Sequence, residues 1–141
     1  MIRDDIVTEF KARLAAKFAG IAEVHDGKSE LNKSKMPCYA IFEDTETSQN
    51  RRRKDKRGFN AYIRNITLQL EYSFTDSDDE DTFAEGRSIL KDIRDALELD
   101  DSFNGLVRWH EEESNNIALV YTPIVVVVVR WAFEYVELVG A

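Results

Sequence analysis

The sequence contains one cysteine, two histidines and only six glycines, and each scarcity excludes a kind of chemistry. The lone Cys38 cannot form a disulfide within the chain, which is typical of proteins made in a reducing compartment. It lies in an apolar stretch without a paired histidine signature, so we expect a buried core thiol rather than a nucleophile. Because the glycines are scattered, no segment has the spacing of a phosphate-binding loop.

Metal-binding patterns are also missing. Neither His25 nor His110 has a ligand spacing, and the segment HEEES lacks the second histidine that a zinc-protease helix needs. The acidic run DSDDED, residues 76–81, has Asp81 at the position where an EF-hand loop needs glycine. We therefore expect no metal, no cofactor and no enzymatic activity.

Long apolar runs are equally rare. The most apolar stretch, 117–139, is interrupted by Arg130, Glu134 and Glu137, and its longest unbroken apolar run is 124–129. A membrane-spanning helix needs ~20 mostly apolar residues, so we expect no membrane span. Five consecutive valines are β-branched and predict a strand buried on both faces. The charged, amphipathic start of the sequence predicts no signal peptide.

Negative charge dominates, with one local exception. The 141 residues carry a formal charge of −8 and are expected to form one domain, 1–141, with a hydrophobic core. Residues 51–57 hold six basic side chains and one acidic one, and the remainder has a net charge of −13. Such a surface repels phosphate, which argues against a protein that wraps nucleic acid. The aromatic triplet Trp131, Phe133 and Tyr135 could stack on bases, but we expect it to pack in the core or an interface.

The clearest structural signal is strict alternation over residues 60–74. One face carries Tyr62, Ile66, Leu68, Leu70, Tyr72 and Phe74, and the other carries Asn65, Thr67, Gln69, Glu71 and Ser73. This pattern predicts a long strand with one face on the core. Arg64 is the exception on the core face, and it is expected to be exposed near the start of the strand.

The other elements follow from periodicity and turn residues. One helix is predicted over 4–19. A second helix is predicted from a capping box at 77–80 to about residue 99, and Phe83 and five later apolar residues of this helix are expected to face inward. Short strands are predicted over 21–25 and 38–43. Two or three strands are expected to close the chain over 106–112, 117–121 and 124–138, with a hairpin turn at 114–116 and a bulge or break at Pro123. Residues 44–59 form an exposed basic loop. The order α-β-β-β-α-β-β predicts an α+β fold, with two helices packed on a mainly antiparallel or mixed β-sheet.

Two charge clusters flank the long strand and are the candidate interaction sites. The basic cluster consists of Arg51, Arg52, Arg53, Lys54, Lys56 and Arg57. The acidic turn consists of Asp76, Asp78, Asp79, Glu80 and Asp81. A straight strand of about fifteen residues separates its ends by up to ~50 Å, so the clusters would meet between subunits arranged head to tail rather than within one subunit. Three interpretations of the basic cluster stay open: a solvated loop, docking to a neighbouring protein, and direct phosphate contact.

The order of segments resembles a known family. After an amphipathic N-terminal helix come PCYAIFED, a charged loop, YIRNITLQLEYSF, FAEGRSILKDIRDALELDDSF, GLVRWHEEE and VRWAFEYVEL. Over nearly the whole chain this arrangement resembles the tail terminator proteins of tailed bacteriophages, also called tail-completion or neck proteins. The resemblance lies in the order and character of the elements, without an invariant motif.

The resemblance implies a structural virion protein, made in the host cytoplasm, that forms a homo-hexameric ring at the head-proximal end of the tail tube. Its expected partners are the tail tube protein and the head connector or completion protein, and DNA would pass through its lumen. The family supplies no catalytic residues. A connector-side head–tail completion protein and a small nucleic-acid-binding regulator that uses 51–57 are the alternatives. We favour docking of the basic cluster to a neighbour, because strong phosphate binding in the lumen would hinder DNA passage.

Overall fold

The computed structural model describes residues 2–24, 36–44, 47–54, 60–75, 83–121 and 123–139. The elements are α1 (Ile2–Lys17), β1 (Glu23–Val24), β2 (Cys38–Glu43), β3 (Thr47–Lys54), β4 (Asn60–Thr75), α2 (Ala84–Leu97), β5 (Trp109–Tyr121) and β6 (Ile124–Val139). The strands form one sheet in the order β1-β2-β4-β6-β5, and β3 also pairs with β4. Only the β1–β2 pair is parallel among the described strands. The predicted α+β fold with a mainly antiparallel sheet is confirmed.

Strand β4 lies in the centre of the sheet and pairs along its whole length. One edge pairs with β6, from Asn60 opposite Val139 to Thr75 opposite Ile124. The other edge pairs with β3 near the start of β4 and with β2 near its end. Because a strand rises about 3.3 Å per residue, the two ends of β4 lie about 50 Å apart.

The core lies on the face of the sheet against which both helices pack. Its most buried members include Ile6, Phe10 and Leu14 of α1, Ile93 and Leu97 of α2, Ile66, Leu68, Leu70, Tyr72 and Phe74 of β4, and Val125, Val127, Val129, Trp131, Phe133 and Tyr135 of β6. Phe10 packs edge-on against Phe133 at a centroid distance of 6.0 Å, which joins α1 to the sheet. The predicted core face of β4 is confirmed from Ile66 to Phe74, whereas Tyr62 is only half-buried.

The segment predicted as an exposed loop over 44–59 is a strand in its middle part. Residues 47–54 form β3, which pairs antiparallel with the first six residues of β4, so the loop prediction is wrong there. The segment shows no apolar alternation, because an edge strand can be held by backbone hydrogen bonds without burying a side-chain face. Residues 55–59 lie outside the described residues. The observed order therefore has one strand more before α2 than predicted.

Strand β5 runs unbroken from Trp109 to Tyr121, so the hairpin turn predicted at 114–116 is also wrong. These three residues pair with residues 128–130 of β6, next to a register irregularity at Glu113. Their side chains are exposed, and a strand at the sheet edge tolerates such turn-forming residues. The chain reverses instead between β5 and β6.

Helix α2 begins at Ala84, later than the capping box at 77–80 predicts. Phe83 is the N-cap residue, makes no side-chain cap hydrogen bond and is 40% exposed, so its predicted inward orientation is wrong. The capping-box residues lie outside the described residues. The rest of the predicted apolar stripe is confirmed, because Ile89, Leu90, Ile93, Ala96 and Leu97 are buried.

The connection from α2 to β5 is held by Arg13 of α1, whose side chain is 7% exposed. Its guanidinium donates to Leu97 O at 3.0 Å and to Asp100 Oδ1 at 2.6 Å, and it lies 4.0 Å above the Phe103 ring. The other Asp100 oxygen accepts the Asn104 backbone N–H at 2.7 Å. The hydrogen bonds from Asn104 and Arg13 lower the pKa of Asp100. These contacts anchor the end of α2 to α1 and to the sheet.

Candidate interaction surfaces

Four members of the predicted basic cluster lie in β3: Arg51, Arg52, Arg53 and Lys54. The last three pair with residues 60–62 at the start of β4, and a register shift just before Arg52 forms a bulge. Lys56 and Arg57 lie outside the described residues. Within the described part of the chain, β3 pairs with β4 alone, so its outer edge has no strand partner there. Basic residues are thus concentrated at an edge of the sheet.

The acidic turn, formed by Asp76, Asp78, Asp79, Glu80 and Asp81, lies outside the described residues. Its described neighbours, Thr75 and Phe83, are the end of β4 and the N-cap of α2. The basic strand pairs with the opposite end of β4. The structure therefore does not bring the basic strand to the elements that flank the acidic turn.

A cavity of about 370 Å³ lies at this second end of β4. Its walls come from the turn that follows α1, from α2 and from the end of β4, and they include Phe18, Tyr72, Phe74, Glu85, Ser88 and Asp92. Glu85 and Asp92 are separated by about two helical turns, so both carboxylates lie on the face of α2 that lines the cavity. Asp92 Oδ1 is 4.0 Å from Lys17 Nζ, whereas Glu85 forms no ion pair with the described residues. We call this site the acidic cavity.

Tyr72 carries a buried hydroxyl in the acidic cavity. The residue is 2% exposed, and its ring packs against Phe18 at 4.9 Å between centroids. Its hydroxyl makes no hydrogen bond within the described part of the chain. Burial and the negative charges of Glu85 and Asp92 raise the pKa of Tyr72 to about 12, so the phenol stays protonated at neutral pH. A buried hydroxyl without a partner is unfavourable, and it can both donate to and accept from a ligand.

The segment Glu111–Glu113 gives the edge strand β5 an acidic stretch. Arg94 of α2 holds Glu112 through two parallel hydrogen bonds of 2.8 and 2.9 Å, a fork geometry stronger than a single contact. The hydrogen bonds from Arg94, and a further one from Asn115, lower the pKa of Glu112, while the Glu112 hydrogen bond raises the pKa of Arg94. This pair fastens β5 to α2.

The face of the sheet opposite the helices carries a polar network around Arg130. The guanidinium forms an ion pair with Asp44 and donates to Gln69 Oε1 at 3.1 Å. Glu113 Oε1 lies 3.9 Å from Arg130 Nε, and the other Glu113 oxygen accepts from Thr67 Oγ1 at 3.2 Å. The network crosses strands β4, β6 and β5 and links the end of β2 to them. Its charges are largely paired with one another.

The described residues that the sequence offered as candidates for chemistry are buried or hydrogen-bonded within the fold. Cys38 is buried, as predicted. Trp131, Phe133 and Tyr135 are at most 2% exposed, which confirms core packing and leaves no open ring for base stacking. His110 Nδ1 accepts from Trp131 Nε1 at 2.9 Å, so Nε2 carries the proton and donates to Asp100 O at 2.6 Å. Both of its ring nitrogens are engaged in these contacts.

The described residues include no group of three or more His, Cys, Asp or Glu side chains placed to hold a metal ion. His25 lies outside them.

No helix in the described ranges combines the length and the hydropathy needed to cross a membrane.

The sequence matches no protein-family model and none of the curated proteins with which it was compared.

Sequence reasoning missed the acidic cavity, although part of its signal was present. Glu85, Ser88 and Asp92 recur at three- and four-residue spacing, which places them on one helix face. The position of Tyr72 in that cavity could not be foreseen, because it depends on how the end of β4 packs against both helices. Likewise, only the strand pairing reveals that part of the basic cluster is an edge strand.

Proposed function

We propose that the protein is a structural virion subunit of the tail terminator type, which forms a homo-oligomeric ring at the head-proximal end of a phage tail tube. The ring ends tube growth and joins the tail to the head connector, while DNA passes through its lumen. The proposal combines the resemblance in element order with the charge distribution along β4.

The observation that carries the proposal is that one elongated sheet bears opposite charges at its two ends. Strand β3, with Arg51, Arg52, Arg53 and Lys54, lies at the start of β4, and the carboxylates of Glu85 and Asp92 lie near its end. A subunit with two different complementary surfaces assembles head to tail, and such heterologous contacts close into a ring when the rotation between subunits allows it.

Two features favour a ring over a nucleic-acid-binding regulator. The aromatic triplet that could stack on bases is buried in the core. Apart from residues 51–57, the chain has a net charge of −13, which repels the phosphate backbone. A ring with such a surface would let DNA pass without holding it.

Electron microscopy of the protein mixed with tail tubes tests the proposal. The tubes should be assembled from the tube protein of the same genome, and the expected result is a ring at one end of each tube, with tube length no longer increasing. Tubes that stay bare and continue to grow at saturating protein concentration would contradict the proposal.

The double substitution Arg52→Glu with Arg53→Glu should abolish the ring. Its matched control is Lys11→Glu with Lys91→Glu, which makes the same change in net charge on the helices and should leave tube capping intact. Affinity for duplex DNA, measured at low salt, distinguishes the ring from a nucleic-acid-binding regulator. A regulator that uses 51–57 would bind DNA tightly and would lose that binding in the Arg52→Glu, Arg53→Glu variant.

A further inference from the structure

We propose that the acidic cavity binds a basic side chain of β3 from a second copy of the chain. The proposal rests on the head-to-tail assembly proposed above and names the two surfaces that meet in it. One surface is the acidic cavity of one subunit, and the other is the edge strand β3 (47–54) of the next subunit.

The chemistry of the cavity suits a guanidinium or ammonium group. Glu85 and Asp92 supply two carboxylates on one helix face, and the cavity volume of about 370 Å³ is in the range of small-ligand sites. The Tyr72 hydroxyl is buried and has no hydrogen-bond partner in the described residues, so it offers an acceptor to an incoming N–H group.

The cation cannot come from β3 of the same chain. Residues 52–54 pair with residues 60–62 of β4, whereas Tyr72 lies ten positions further along the same strand. Ten residues of extended strand span about 33 Å, several times the reach of an arginine side chain. The strand and the cavity are therefore complementary surfaces at opposite ends of one subunit, and only a neighbouring copy can bring them together.

Strand β3 is suited to the other half of the contact. It holds four consecutive basic residues, and its outer edge pairs with no strand in the described parts of the chain. The positive charge of these four residues complements the negative charge of Glu85 and Asp92.

A labelled synthetic peptide tests the contact directly. The probe is TSQNRRRKDKR, residues 47–57 of this chain, and its binding to the full-length protein is measured by fluorescence anisotropy at low protein concentration. We expect saturable binding that weakens about tenfold for Glu85→Gln with Asp92→Asn, because two charge-assisted contacts are lost. Tyr72→Phe should weaken binding about threefold, since only one neutral hydrogen bond disappears.

Matched controls distinguish binding in the acidic cavity from nonspecific electrostatic attraction. The double variant Asp95→Asn with Glu98→Gln makes the same change in net charge at exposed positions on and just after α2, and should change the affinity less than about twofold. A peptide with glutamine at its six basic positions should not bind. Circular dichroism verifies that every variant is folded.

Peptide binding that is absent from the wild-type protein, or that falls equally in the cavity and control variants, overturns the proposal. Tube capping is scored separately on the same variants. If the tubes are capped but the peptide result is negative, the cavity assignment fails while the proposed function stands. If peptide binding depends on the cavity but the tubes are never capped, the docking contact stands and the ring at the tube end fails.

Discussion

The two halves of β4 differ in how they are packed. From Ile66 to Phe74 every residue of the core-facing set is buried beneath the helices. From Ala61 to Asn65 all five residues are half-buried, whichever face of the sheet they are on, and none belongs to the buried core. One continuous strand therefore has a half that stabilises the fold and a half that contributes little to the core.

The charges follow the same division. The half-buried part of β4 pairs with the basic strand β3, whereas the buried part ends at the acidic cavity. Packing is therefore concentrated in one half of β4, whereas the two proposed docking surfaces lie at its two ends. The following substitutions test this difference in packing.

The largest expected difference is between two apolar truncations on β4. Leu68 is fully buried, so Leu68→Ala should lower the free energy of unfolding by about 2–5 kcal/mol through lost burial and a residual cavity. Ile63 is half-buried, and Ile63→Ala should cost roughly 1 kcal/mol, because less apolar surface is lost and no closed cavity forms. Urea denaturation measures both, and equal losses would remove the distinction between the two halves.

Two arginines provide the next comparison. Arg13 is 7% exposed and donates to Glu9, Leu97 O and Asp100, so Arg13→Ala should cost about 2–4 kcal/mol by removing three hydrogen bonds, two of them to carboxylates, and the contact with the Phe103 ring. Arg64, in the half-buried part of β4, pairs with Glu137 at 3.0 Å, and Arg64→Ala should cost about 1 kcal/mol or less. Thermal unfolding followed by circular dichroism distinguishes these outcomes, and a larger loss for Arg64→Ala would contradict the assignment.

The carboxylates of Asp100 and Glu112 should contribute to the pH dependence of stability. The pKa values of Glu112 and Asp100 are both lowered in the folded protein, by Arg94 and by Asn104 and Arg13 respectively. A lowered folded-state pKa gives stability that is fully present above the unfolded value, about 4, and is lost as pH falls through the folded value. The free energy of unfolding should therefore decrease below about pH 4, and Glu112→Gln should reduce the slope.

The control variant Arg94→Gln should show the same reduced slope of the free energy of unfolding against pH, because it removes the other partner of Glu112. An unchanged slope in both variants would show that this pair does not contribute to acid sensitivity.

The smallest effect on stability is expected for Tyr72→Phe. Since the hydroxyl has no partner among the described residues, its removal should change the free energy of unfolding by less than about 1 kcal/mol. We expect a slight increase in stability rather than a decrease. The same variant should weaken the proposed docking contact. A large loss of stability would mean that the hydroxyl supports the fold rather than a ligand.

The sequence predicts those parts of the fold that show in side-chain periodicity. Alternation identifies β4 and its buried face, and the valine run identifies β6, because both strands bury apolar side chains. Strand β3 and the middle of β5 carry polar residues at sheet edges, so their structure depends on backbone pairing with strands distant in sequence. The acidic cavity needs three elements to meet at Tyr72, which no local pattern encodes. The positions of the basic residues at one end of β4 follow from the sequence, and the docking site at the other end does not.

Mixing two oppositely charged variants tests head-to-tail docking most directly. One variant carries Arg51→Glu, Arg52→Glu, Arg53→Glu and Lys54→Glu, so its strand edge becomes acidic, and the other carries Glu85→Arg and Asp92→Arg, so its cavity becomes basic. Each alone presents like charges at both docking surfaces, whereas alternating copies present opposite charges at every contact. Native mass spectrometry should show rings for the wild type, monomers for each variant alone, and rings with equal numbers of both variants for the mixture. Rings formed by either variant alone, or a mixture that stays monomeric while the wild type assembles, would contradict the account.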